Sequence, residues 1–148
     1  MANTTQIKNL IEPHVRKWLA TKFPGHQFTE KSVRLIWGKD HKFDAVSEDG
    51  TIIAEILSNG ATTRSGNENT GGVRKAEGDL LRFFGIDKHT TKVMVFTDIN
   101  FLNLISRRTA GLGIERIELF HCQLPSSLDS KLQDIRNSAS EEQRAKTD

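Results

Sequence analysis

The chain has 148 residues, 36% of them hydrophobic and 27% charged, with a formal net charge of +2. That is enough chain for one domain with its own core, and no apolar run reaches the ~20 residues that cross a bilayer, so no membrane partner is expected. A single cysteine, Cys122, excludes an internal disulfide and a cysteine-built zinc site, and the absence of tyrosine excludes a tyrosine nucleophile. The N-terminus, MANTTQIKNLIEPHV, lacks the basic start and apolar stretch of a signal peptide, which makes a cytoplasmic location the expectation. A pI near 8.8 is compatible with a nucleic-acid partner without specifying one.

Thr5 to Lys22 reads as a helix, with Ile7, Leu10, Ile11, Val15, Trp18 and Leu19 on one face. Pro13 asks for a kink, or for a helix that starts near Glu12. Ser32 to Trp37 alternates like a strand. The stretch from Lys42 to Ser58, KFDAVSEDGTIIAEILS, then reads as a β-hairpin. Asp49-Gly50 is a two-residue turn signal of the type I′ kind. Counting back from that turn sets Asp44 opposite Glu55 on one face, with Cβ atoms about 4.5–5.5 Å apart. Two like charges that close repel, and a divalent cation between them relieves the repulsion.

Asn59 to Gly72 is a polar, glycine-bearing loop, long for a compact domain. It follows the acid-bearing strand directly, and Arg64, Asn67 and Asn69 are capable of phosphate or base-edge contacts; a disordered connector is the plain alternative. Val73 to Phe84 has helical periodicity with Val73, Ala76, Leu80 and Phe84 inward, Arg74, Lys75, Asp79 and Arg82 on the polar side, and Gly85 closing it. VMVF within Lys92–Thr97 reads as a strand buried on both faces. Asp98 caps a further helix to about Arg108, stopped by Gly111, and Ile114 to Phe120 is a last strand. Beyond Pro125 the chain is polar, with a short helical pattern at Leu128, Leu132 and Ile135 and then a charged tail expected to fray. The reading divides the chain into an α/β domain over residues 1–124 and a polar helix or tail over 125–148. Three strands in a meander and two joined through helices predict a mixed β-sheet flanked by helices.

This order αβββαβαβ, with Asp44 on the second strand and Glu55 near the end of the third, resembles the PD-(D/E)XK nuclease superfamily over roughly Thr5 to Phe120. The resemblance implies a restriction-endonuclease-like fold. It also implies Mg²⁺ or Mn²⁺ bound by Asp44, Glu55 and the Ile56 carbonyl, and hydrolysis of DNA phosphodiesters. Glu12 matches the extra acid that such nucleases often carry on the first helix; as a helix-start residue it has a plainer reading. The triplet here is Glu55-Ile56-Leu57, so the family's lysine is missing. Two replacements stand in the sequence: Lys75 on the next helix, and Lys42, which the hairpin register sets opposite Leu57. Arg74 and Lys75 join the loop residues as nucleic-acid contacts. A symmetric homodimer would be needed to cut both strands of a duplex. The alternative is a degenerate nuclease fold that binds nucleic acid or a protein partner without cutting. The five histidines show no metal spacing, and only His41 falls near the proposed site.

Overall fold

Continuous apolar runs in the middle of the chain and amphipathic segments around them build a five-stranded sheet with helices on both faces. The computed structural model describes residues 2–63 and 65–147, and the side chains of residues 5–63 and 65–138. The elements are α1 (Ala2–Lys22), β1 (Phe28–Arg34), β2 (Asp40–Ser47), β3 (Ile52–Leu57), α2 (Thr70–Phe83), β4 (Thr91–Phe96), α3 (Ile99–Thr109), β5 (Ile117–His121) and α4 (Ser126–Thr147). The sheet order is β1-β2-β3-β4-β5. The first three strands pair antiparallel, and β3–β4 and β4–β5 pair parallel. The α/β class and mixed sheet expected from the sequence are what the structure has.

Each face of the sheet carries its own apolar layer. One joins Phe43, Val46, Ile53, Leu57, Met94 and Phe96 to α2 and α3 through Val73, Ala76, Leu80, Phe83, Phe101 and Ile105. The other joins Ala45, Ile52, Ala54, Ile56, Val93 and Val95 to Ile11, Val15 and Leu19 of α1 and Leu132 of α4. All six residues of β3 are buried, as a central strand covered on both faces must be. Its one charged residue, Glu55, is only 4% exposed.

Several local expectations are corrected. Gly50 has φ +73°, but among the described residues no non-glycine has positive φ, so Asp49-Gly50 is not a type I′ pair. Gly50 N–H donates to Ser47 O, and a left-handed glycine completes a longer turn. Asp49 stabilises that turn by accepting from Ser47 Oγ, Thr51 N–H and Thr51 Oγ1. These bonds hold its carboxyl at about 2. The predicted register survives, with Ala45 opposite Ala54 and Val46 opposite Ile53.

β1 lies earlier than the alternation suggested, which leaves Ile36 and Trp37 exposed in the turn before β2. α1 runs through Pro13 without restarting there. Phe83, not Phe84, points into the core, stacked on Phe43 at 5.7 Å. Gly85 is not left-handed; the Trp37 ring lies against it, 2.5 Å from where a Cβ would stand, so a side chain there would displace the ring. The segment after Pro125 is a helix, Ser126–Thr147, whose Leu132 is buried in the α1 layer.

Candidate metal centre

The pairing of β1 with β2 shifts register between Thr29 and Lys31. At that point one residue of β1, Glu30, faces two of β2, Asp44 and Ala45, which is a β-bulge. A bulge breaks strict alternation. Phe43 and Val46 both enter the α2 layer, while Ala45 enters the α1 layer. Asp44 stands on the α1 side, where Glu12 and Glu30 meet it. One carboxylate oxygen from each of Glu12, Glu30 and Asp44 lies within 4.8 Å of the others.

The expectation that Asp44 and Glu55 stand side by side on one face is therefore corrected. Past Ala45 and Ala54 the two strands fork. The Asp44 N–H donates to Glu55 Oε1 at 3.2 Å, and the Ile56 N–H donates to Asp44 Oδ2 at 2.9 Å. Arg16 Nε takes the Asp44 carbonyl at 2.8 Å. The two acids bridge the fork from opposite sides: Asp44 leans to α1 and Glu55 to α2, where Asp79 and His41 surround it. A strand residue directs its N–H and C=O to the same side. The Ile56 carbonyl thus opens into the fork beside Asp44.

Burial and neighbouring charges shift the acids of the site in opposite directions. Burial, then the nearby Asp44 charge, raise Glu12 to about 7, although Arg16 binds its Oε1 at 2.9 Å. Glu30 is held below its usual value by hydrogen bonds from Lys8 and Lys42, the latter at 3.1 Å. Burial, then the charges of Asp44 and Asp79, raise Glu55 to about 9. Asp79 is 2% exposed and is also raised, burial being the largest cause. Burial lowers His41, whose Nε2 lies 3.8 Å from Glu55 Oε1.

Of the two lysines, Lys42 is spent on Glu30, on the α1 side. Lys75 is exposed on α2, one turn before Asp79, and its charge acts to lower that acid. Leu57, at the family's lysine position, is fully buried. Arg64 lies outside the described residues. Asn67 and Arg74 are exposed. Asn69 is not a free reader: its Oδ1 caps α2 at Gly72 N–H, and its Nδ2 binds Gly60 O, each at 3.0 Å. Near it the loop carries the Thr62–Glu68 bridge and an exposed ion pair from Glu68 to Arg108 of α3. Cys122 is a buried core residue whose thiol is pushed up to about 11 by burial.

Glu30, Arg16 and the inward turn of Asp79 escaped the sequence reading. Asp79 was legible: it lies between Ala76 and Leu80 in the apolar stripe of α2. Glu30 had no signal, because only the bulge brings it to Asp44. The chain matches no protein-family model, no curated protein and no solved structure. Among the described residues no helix is long and apolar enough to cross a membrane.

Proposed function

We propose that this protein is a metal-dependent DNA endonuclease of the PD-(D/E)XK kind, cleaving phosphodiesters at the β2–β3 fork. The carrying observation is the convergence of Asp44, Glu12 and Glu30 within 4.8 Å of one another. Three hard carboxylate donors, with the Ile56 carbonyl opening beside them, fit Mg²⁺ or Mn²⁺. When bound, such an ion polarises the scissile phosphate and lowers the pKa of a bound water. Asp44 is the central ligand, oriented by the Ile56 N–H, while Glu55 fixes the backbone of Asp44. Arg16 holds both Glu12 and the Asp44 carbonyl in place. Lys75 supplies the cation that Leu57 cannot, because Lys42 is engaged with Glu30. Arg74 and Asn67, exposed near the start of α2, would meet the DNA backbone.

The test is a nicking assay on supercoiled DNA with Mg²⁺ and with Mn²⁺. Wild type should nick, and Asp44→Ala and Glu55→Ala should be inactive at unchanged fold. Wild-type protein that never cuts would remove the reading. The buried Leu57 favours one rival, a non-cutting domain that binds DNA. It would show metal-independent binding and no cleavage.

A further inference from the structure

Four large apolar side chains lie exposed together at the end of the sheet that carries the fork. Ile36 and Trp37 are 76% and 55% exposed in the turn before β2, and Leu81 and Phe84 are 66% and 50% exposed at the end of α2. The two segments are fastened to each other. Ile36 N–H donates to Gly85 O at 2.8 Å, and the Trp37 ring is seated on Gly85. The patch is therefore a fixed surface and not a pair of loose ends. From these exposures and ordinary side-chain sizes it presents roughly 500 Å² of apolar area, at the upper end for a monomer's largest patch.

We infer that this patch is the contact between two copies of the chain, related by a two-fold axis. The area argues for it. Burying the patch on both copies removes about 1,000 Å², the size at which a specific interface becomes credible before any rim is added. The charges argue for it too. Arg34 and Asp40 flank Ile36 and Trp37 with opposite signs, and they pair with each other at 3.0 Å within one chain. An isologous contact can set the arginine of one copy against the aspartate of the other. A phosphate backbone would ask for cations alone. Position gives the contact a use, since Ile36 and Trp37 lie in the turn that enters β2, the strand that carries Asp44. A two-fold contact at this turn would give two copies a symmetric pair of forks, as cutting both strands of a duplex requires. That use rests on the cleavage reading; the contact itself does not.

The test is sedimentation equilibrium of the full chain across the micromolar range, in wild type, Ile36→Lys, Leu81→Lys and Leu112→Lys. Leu112, 67% exposed after α3, is the control. Wild type and the control should dimerise alike. Each of the other two should weaken association by roughly 30-fold or more, because a lysine would be desolvated at the centre of the contact. All three replaced side chains are exposed, so circular dichroism should show unchanged folding. A monomeric wild type would overturn the inference and leave the patch to a different protein. Undiminished dimerisation of Ile36→Lys and Leu81→Lys, or loss of the dimer in Leu112→Lys, would overturn it equally. Cleavage by a monomer would sink the dimer and spare the nuclease, and a dimer that never cuts would do the reverse.

Discussion

Glu55 of β3 and Asp79 of α2 set two buried carboxyl groups against each other, 4% and 2% exposed. Ionised carboxylates only accept hydrogen bonds, so two facing ones have nothing to exchange. Asp79 Oδ2 accordingly has no hydrogen-bond partner among the described residues, while its Oδ1 is held by Arg82 at 3.0 Å. A proton shared by the pair resolves the conflict, and the two groups then titrate as a unit. The fork thus has an open side, with Asp44, Glu30 and the proton-holding Glu12, and the buried Glu55–Asp79 pair behind it.

Stability should fall as pH rises from about 5 to about 9. The native Glu55 keeps its proton to about 9 and Glu12 to about 7, whereas the ordinary glutamate value is 4.5. In that window the folded state binds more protons than the unfolded state, so deprotonation favours unfolding. The unfolding free energy measured by urea denaturation should drop across this range by about a few kcal/mol, and the midpoint with it. Glu55→Gln should flatten most of the slope. A midpoint that stays level or climbs would contradict the shared proton.

Millimolar Mn²⁺ should raise the thermal midpoint, since an ion that binds only the folded state stabilises it by about 2.7 kcal/mol at 100 times its Kd. Asp44→Ala should abolish the response, and Glu30→Gln should weaken it. Glu55→Gln should keep it, because Glu55 leans to the other side of the fork. Differential scanning calorimetry of the four proteins decides the matter. Loss of the response in Glu55→Gln but not in Glu30→Gln would move the ion to the Asp44–Glu55 pair.

If the fork cuts DNA, Lys75→Ala should slow cleavage by about 10²–10³, the usual effect of removing one group that stabilises developing charge. Lys42→Ala should have a smaller effect, since Lys42 already pairs with Glu30. Both lysines are exposed, so neither change should lower the melting temperature much. Equal, wild-type-like rates for both variants would mean that no lysine serves the reaction.

Asn69→Ala should cost about 1 kcal/mol or more of stability through loss of the α2 cap. It also cuts the tie to Gly60 O, so the loop between β3 and α2 should gain protease sensitivity. Chemical denaturation and limited proteolysis would measure the two effects separately. A proteolysis pattern unchanged from wild type would show that the Thr62–Glu68 bridge holds the loop alone.

Strand and helix identities along β3, β4, α2 and α3 were legible because they depend on local periodicity. IIAEIL and TKVMVF are too continuously apolar to be anything but covered strands, and Asp98 announces the start of α3. The register of the β2–β3 hairpin was legible too, even though the turn type was not. Other features depend on contacts between segments far apart in the chain. The bulge opposite Glu30 turned Asp44 to the α1 face, and one displaced residue in a ladder leaves no mark on composition or spacing. Burial of Phe83 rather than Phe84 depended on how α2 rolls against Phe43. Gly85 reads as a helix stop in the sequence, and only the fold reveals that the Trp37 ring lies on it. The sequence by itself determined the segments that form β3, β4, α2 and α3 and the register that sets β2 against β3. Only the tertiary structure decided which acids converge, because side-chain direction at a bulge is set by the neighbouring strand.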